Sequence, residues 1–138
     1  MTCELCHLTV EPIYRNDKFT VIMAEDAAYP GFCRVIWHEH VKEMSDLEPA
    51  DRLLINEAVW QVEVAMRDVM APDKVNVASL GNVVPHLHWH IIPRYTDDAH
   101  FPNPVWAEAV RTTEEDILEQ RRTLLPHLRA AIAHRFGE

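Results

Sequence analysis

The chain contains 138 residues, 48% of them apolar, and this length predicts a single domain over residues 1–138 with its own hydrophobic core. Its formal net charge of −9 comes from 13 Lys and Arg against 22 Asp and Glu, which argues against nucleic-acid binding because such binding needs clustered cations. No apolar run approaches the roughly 18 residues that span a bilayer, and no secretory signal opens the chain, so we expect a cytoplasmic protein without a membrane partner.

The first half of the chain predicts three strands and a long helix. Apolar residues 12–15 and 19–23 flank an Asn-Asp turn, which is typical of a hairpin. A third strand is predicted at residues 32–37, after a Tyr-Pro-Gly turn. Apolar residues at helical spacing then predict a helix that begins near Pro49 and ends at Pro72.

The second half predicts two more strands, a loop and a final helix. Residues 75–80 and 83–92 are apolar runs that flank a Gly-Asn pair, so we predict that they form paired strands. Residues 95–106 contain prolines without periodicity and are predicted to form a surface loop. A helix is predicted from Thr112, with a kink or break at Pro126. This order predicts an α+β fold with a mainly antiparallel sheet of about five strands, one long central helix and a C-terminal helix.

Three histidines alternate with apolar residues in the segment PHLHWHIIPR, residues 85–94. Because side chains alternate between the two faces of a strand, His86, His88 and His90 are predicted to share one face. Each imidazole carries two polar nitrogens, and a buried, unpaired polar group costs about 1 to 3 kcal/mol. Three such rings in a row therefore indicate a chemical role.

Three interpretations of the histidine segment compete. The rings lie on a solvated face, or they chelate a metal ion as an HxHxH strand, or one ring is a nucleophile toward phosphorus while the others hold the phosphate and transfer protons. We favour the nucleophile, because lone surface histidines are common but a strict triple alternation between prolines is not. A nucleotide-binding module without turnover is a further alternative.

The same segment resembles the mark of the histidine triad (HIT) superfamily of nucleotide hydrolases and transferases. Residues 86–92 carry the alternating histidines, and the Pro-Arg pair that follows is found in many members. Residues 30–40, PGFCRVIWHEH, and residues 44–51, MSDLEPAD, resemble the family in the same order. The resemblance implies a HIT-like fold and a bacterial HIT-like nucleotide hydrolase.

The resemblance also implies a division of roles among the histidines. It makes His88 the nucleophile that attacks the α-phosphorus of a nucleoside phosphoramidate or a dinucleoside polyphosphate of the diadenosine tetraphosphate type. A nucleotidyl-histidine intermediate would form and then react with water. His90 and His86 would orient the nucleophile, contact the phosphate and assist proton transfer. Hydrolysis is favoured over transfer because the third triad position is histidine, where the transferase branch has glutamine.

Further residues match the substrate contacts of the family. Asn82 corresponds to the amide residue that contacts phosphate before the triad. Asn76 is a looser match to a polar pocket residue, and Asp26 or Glu25 would bind the ribose hydroxyls. The chain departs from the family pattern at Val83, where a hydroxyl residue is frequent.

A structural zinc site is the one cofactor that the resemblance suggests, and catalysis itself is expected to need none. Cys3 and Cys6 form a CxxC pair, and some HIT proteins bind zinc through such a pair and two histidines. His40 and His86 occupy the matching positions. Two thiolates and two imidazoles make a closed tetrahedral zinc site, and the alternative is an ordinary pair of thiols without metal.

The family resemblance implies a homodimer that acts on a small-molecule nucleotide. The base and the leaving group cannot be read from the sequence, because Val83 and the loop at residues 95–106 are expected to decide them. Within that loop, Trp106 is the tryptophan that we consider for the rim of a pocket.

Overall fold

The computed structural model describes residues 3–138. These residues form a five-stranded sheet packed against helices, which confirms the predicted α+β fold. The strands are β1 (Tyr14–Arg15), β2 (Phe19–Met23), β3 (Cys33–Trp37), β4 (Lys74–Ala78) and β5 (His88–Arg94). The helices are α1 (Pro49–Met70), α2 (Glu115–Arg122) and α3 (Leu125–Arg135), and a short 3-10 turn at Met44–Asp46 precedes α1.

The sheet has the strand order β1-β2-β3-β5-β4, and each neighbouring pair is antiparallel. Strands β3 and β5 are therefore interior strands with a partner on either side. In their register Ile36 lies opposite His88, and Arg34 lies opposite His90. Directly opposed residues of an antiparallel pair project from the same face, so β3 places an arginine beside the histidines of β5.

The first hairpin forms at the predicted position because an asparagine side chain closes its turn. The Oδ1 atom of Asn16 accepts hydrogen bonds from the main-chain amides of Lys18 and Phe19, both at 2.9 Å. An asparagine that bonds to the backbone two or three residues ahead imitates a main-chain turn. The hairpin fixes the register of β1 and β2 at one edge of the sheet.

Helix α1 covers one face of the sheet and closes the core. Proline at its first turn and the left-handed backbone of Ala71, with φ of 46°, mark its two ends. Its buried residues recur at helical spacing: Ile55, Ala58, Val59, Val62, Ala65, Met66 and Met70. They pack with buried residues of the sheet and of α3, including Val21, Val35, Ile91, Leu128 and Ile132. Each fully buried Val, Ile, Leu or Met side chain of this core stabilises the fold by about 1.5 to 3 kcal/mol.

Two predicted boundaries need correction. The strand predicted at residues 83–92 is found at residues 88–94, so it begins later and includes Pro93. Pro93 pairs with Val75 of β4 but lies beyond the last pair with β3, at Ile91. A proline is tolerated where a strand lacks one neighbour. The final helix begins at Glu115 and not at Thr112. It is divided near Pro126 as predicted, since α3 begins at Leu125 with Pro126 in its first turn.

None of the helices described for residues 3–138 combines the length and the hydropathy that a membrane-spanning segment needs.

Candidate active site and metal centre

A cavity of about 560 Å³ lies on the sheet face that carries the histidines of β5. His88 and His90 form its floor together with Arg34 of β3. The N-terminal segment, the connection after β4 and the loop after β5 contribute its walls. The remaining lining residues are Glu4, Leu5, Leu80, Gly81, Asn82, Val83, Val84 and Trp106. The cavity has the size of a small-molecule site.

The tautomer of His88 follows from one hydrogen bond. The Nδ1 atom lies 2.5 Å from the main-chain oxygen of His86, and a carbonyl oxygen only accepts, so Nδ1 carries the proton. In the neutral ring the lone pair is therefore on Nε2. His88 is 7% exposed, and its own carbonyl oxygen accepts a 2.7 Å hydrogen bond from the Ser79 hydroxyl. The ring is held by the main chain with one basic nitrogen available.

His90 lies beside His88 as a neutral ring. The two ring centroids are 4.9 Å apart with an interplanar angle of 83°. Burial lowers the pKa of His90 to about 4, and the nearby His88 and Arg34 contribute to the same shift. Its Nδ1 atom is buried without a hydrogen-bond partner among the described residues. At neutral pH this ring can exchange hydrogen bonds with a ligand but carries no charge.

His86 does not line the cavity, which corrects the prediction that all three histidines contact the substrate. Other groups hold its side chain: Trp37 on one side, and Cys3 and His40 on the other. Its ring is 0% exposed. The Nε2 atom lies 2.5 Å from the main-chain oxygen of Trp37 and donates to it. Its Nδ1 lone pair therefore points away from that bond, toward two cysteines and a histidine.

Cys3, Cys6, His40 and His86 form a compact cluster of metal-ligating groups. One ligand atom from each residue lies within 4.8 Å of the other three. The Nδ1 atom of His86 is 3.4 Å from the sulfur of Cys3, 3.5 Å from that of Cys6 and 3.1 Å from Nδ1 of His40. Burial lowers the pKa of His86, which favours the neutral form that binds metals. Two sulfurs and two imidazole nitrogens fit a tetrahedral metal ion.

The residues expected to bind substrate are not all brought together. Asn82 lines the cavity with His88, and Trp106 lies at its rim as considered from the sequence. Asp26 and Glu25 line a separate cavity of about 970 Å³. Asp26 accepts a 3.0 Å hydrogen bond from the amide of Ala28, so its carboxylate shapes a local turn.

Asn76 belongs to a buried network that holds the loop after β5. Its Oδ1 atom accepts a 2.7 Å hydrogen bond from Arg94, and Arg94 forms a buried ion pair with Asp98 at 2.8 Å. Asp98 also accepts hydrogen bonds from the amides of Tyr95, His100 and Phe101. The position of Asn76 away from the cavity follows from this use of its amide oxygen.

Arg34 is the cavity residue that sequence reasoning missed. It lines the cavity and lies opposite His90 in the sheet register. The available signal was a single charged residue inside the otherwise apolar and aromatic strand CRVIW. A charge at the centre of an interior strand needs either a partner in the fold or a ligand.

The comparisons with known proteins establish the family. The family model described as HIT domain matches residues 8–97, so the chain belongs to the HIT family. A histidine triad protein from Bradyrhizobium japonicum is 30% identical, with 88% of this chain and 90% of that chain covered and a TM-score of 0.73.

Two further proteins are similar at lower identity. A Zn-bound histidine triad family protein from Mycobacterium smegmatis is 22% identical, with coverage of 96% of this chain and 94% of that chain and a TM-score of 0.64. An uncharacterized HIT-like protein of Saccharolobus solfataricus is 23% identical over 91 residues, which are 62% of this chain and 66% of that protein. The chain thus covers just under two thirds of that relative.

Proposed function

We propose that this protein hydrolyses a nucleotide conjugate through covalent catalysis at His88. Membership of the HIT family supports a nucleotide-binding or hydrolase-type function. The observation that carries the proposal is the hydrogen bond between Nδ1 of His88 and the carbonyl oxygen of His86. In the neutral ring the lone pair is then on Nε2, on a side chain that lines the cavity, and a nucleophile needs such a lone pair.

The substrate class is a nucleoside phosphoramidate or a dinucleoside polyphosphate. The Nε2 atom of His88 forms a bond to the α-phosphorus while the bond to the leaving group breaks, and the leaving group departs with that electron pair. The nucleotidylated ring is positively charged, and the carbonyl oxygen of His86 stabilises it through the Nδ1 proton. Water then forms a bond to the phosphorus while the P–Nε2 bond breaks. The electron pair of that bond returns to Nε2, one proton of the water passes to solvent, and the nucleoside monophosphate and His88 are freed.

The neighbouring groups position the phosphate. The neutral ring of His90 and the side-chain amide of Asn82 line the same cavity, and both groups donate hydrogen bonds to phosphate oxygens. Phosphoryl transfer depends mainly on such positioning and on electrostatic stabilisation. His86 acts through its main-chain oxygen, which orients His88.

The cluster of Cys3, Cys6, His40 and His86 is proposed as a structural zinc site. All four positions are filled by protein ligands, which is typical of structural and not catalytic zinc. The Zn-bound relative from Mycobacterium smegmatis supports zinc as the metal. The alternative in which the HxHxH strand itself chelates is disfavoured, because His88 and His90 are outside the cluster found among residues 3–138.

Replacement of His88 tests the function. We expect His88→Ala to lower turnover of both substrate classes by roughly 10⁴-fold or more, because no other nucleophile occupies its place. A denaturant quench followed by mass spectrometry should find the nucleotidyl adduct on wild-type His88. An exposed histidine of α3, His127, provides a matched control, and His127→Ala should turn over substrate at the wild-type rate.

Two results would contradict the proposal. Turnover retained by His88→Ala would exclude His88 as the nucleophile. Nucleotide binding by the wild-type protein without an adduct and without turnover would instead identify a binding module.

A further inference from the structure

Arg34 provides a fixed positive charge in the cavity. Of the described residues that line the cavity, it is the single Lys or Arg. It projects from the same face as His90, which lies directly opposite it in the register of β3 and β5.

The guanidinium of Arg34 lacks a partner within the described part of the chain. No ion pair or hydrogen bond joins it to residues 3–138, and its Nε atom is buried without a partner. Its Cζ atom lies 5.3 Å from the ring centroid of Phe32, an arrangement that attracts the cation and orients its plane. A buried, unpaired guanidinium nitrogen is costly in free energy, so this side chain is prepared for an anion.

We propose that Arg34 binds the phosphates beyond the α-phosphate, so that the protein prefers a dinucleoside polyphosphate to a phosphoramidate. This inference rests on the proposed function at His88. The planar fork of a guanidinium matches two phosphate oxygens. A polyphosphate chain offers additional negative charge beside the reacting phosphorus, whereas the amine of a phosphoramidate offers none.

The chemistry of departure favours the same substrate. When Nε2 of His88 attacks, a polyphosphate leaves as an anion that keeps the electron pair of the broken P–O bond and needs no proton. An amine leaves readily only after its nitrogen is protonated. His90, with its pKa near 4, has no imidazolium proton to give at neutral pH. The floor of the cavity thus provides a cation and not an acid.

Glu4 also lines the cavity and must be weighed against Arg34. Its side chain is exposed, where solvent and salt screen its charge. Arg34 is half-buried, so its field acts on a ligand with less screening. Glu4→Gln should therefore leave the preference between the two substrate classes unchanged.

The experiment compares kcat/KM for diadenosine tetraphosphate and for an adenosine phosphoramidate of an uncharged amine. We expect Arg34→Leu to lower kcat/KM for the tetraphosphate about tenfold or more and to change the phosphoramidate value less than threefold. Arg34→Lys should retain part of the activity on tetraphosphate. Arg67→Leu, which removes the same charge from the exposed surface of α1, should change neither value.

A second measurement does not depend on the folding of the variant. Raising the KCl concentration should lower the wild-type kcat/KM for tetraphosphate more steeply than for phosphoramidate, because chloride competes with the phosphates for the Arg34 guanidinium. Equal losses of both activities in Arg34→Leu, or no loss in either, would overturn the inference while the adduct on His88 still supports the proposed function. Absence of the adduct with both substrates would instead refute the proposed function itself.

Discussion

His86 and His88 have different roles because each uses a different ring nitrogen to donate a hydrogen bond to the main chain. His86 donates from Nε2 to the oxygen of Trp37, and His88 donates from Nδ1 to the oxygen of His86. The remaining lone pairs are therefore Nδ1 of His86, in the cysteine cluster, and Nε2 of His88, beside the cavity. Both residues are histidines of the same alternating segment, so the difference between their roles comes from their hydrogen bonds.

At the scale of single residues, the sequence predicted which kinds of side chain carry the chemistry better than it predicted where those side chains lie in the fold. Alternation placed His88 and His90 correctly on one face, because both lie inside β5. It did not distinguish the role of His86, because the contacts of that ring with Trp37 and Cys3 come from distant parts of the chain. Asn76 could not be assigned correctly, since its partner Arg94 is 18 positions away and no local pattern reports such a contact.

The first residue-scale prediction concerns the buried Asp98. We expect Asp98→Asn to lower the free energy of unfolding at pH 7 by about 3 to 5 kcal/mol, because Arg94 is left buried without a counter-charge. Urea unfolding measures this loss. The neighbouring pair of Asp97 and Arg121 is partly exposed, so Asp97→Asn should cost at most about 1 kcal/mol. A loss of unfolding free energy in Asp98→Asn no larger than that in Asp97→Asn would contradict the role of Asp98 as the counter-charge of Arg94.

The same carboxylate predicts a pH dependence. Burial alone would raise the pKa of Asp98, but hydrogen bonds from Arg94 and from main-chain amides outweigh it and bring the pKa to about 2. Because this is below the ordinary value of 3.8, the stabilisation is complete above about pH 4 and is lost as the pH falls toward 2. The carboxylate is 1% exposed, so the loss should reach about 2 kcal/mol in the wild type and be absent in Asp98→Asn.

At the scale of elements, the N-terminal segment serves the metal cluster and the cavity together. Cys3 and Cys6 belong to the cluster, and the two residues between them, Glu4 and Leu5, line the cavity. Ligands that are fixed by a metal ion also fix the chain between them. The conformation of Glu4 and Leu5, which form this wall of the cavity, therefore depends on metal binding by Cys3 and Cys6.

We accordingly predict that Cys6→Ser loses bound zinc and weakens substrate binding. Zinc content by elemental analysis should fall below one ion per chain, the Tm should drop by several degrees, and KM should rise several-fold with a smaller change in kcat. His7→Asn, at the exposed neighbouring residue, should match the wild type in all three. A variant that keeps its zinc, or that loses it without a change in Tm, would contradict the structural role of the site.

Elements with a strong local pattern were predicted well. The helix α1 follows the apolar spacing between its two prolines, and the first hairpin follows its asparagine turn. The strand β5 was shifted because its limits depend on pairing with β3 and β4, which the periodicity of one segment does not contain. The two-part end of the chain follows from Pro126, as the sequence predicts.

At the scale of the whole molecule, the exposed apolar side chains of α1 are relevant to the oligomeric state. Leu53 is 73% exposed and Trp60 is 50% exposed, and a spacing of seven residues places both on one side of a helix. Large apolar side chains that project together from a charged surface favour association. We propose that this side of α1 joins two copies in the homodimer that the family resemblance implies.

The dimer is tested by placing charge on that surface. We expect the wild-type protein to sediment as a dimer and Trp60→Glu to sediment as a monomer, because two glutamates related by a two-fold axis would repel each other in a desolvated interface. Val110→Glu changes an equally exposed apolar residue outside the helix and should remain dimeric. A monomeric wild type would refute the dimer, and a dimeric Trp60→Glu would move the interface away from α1.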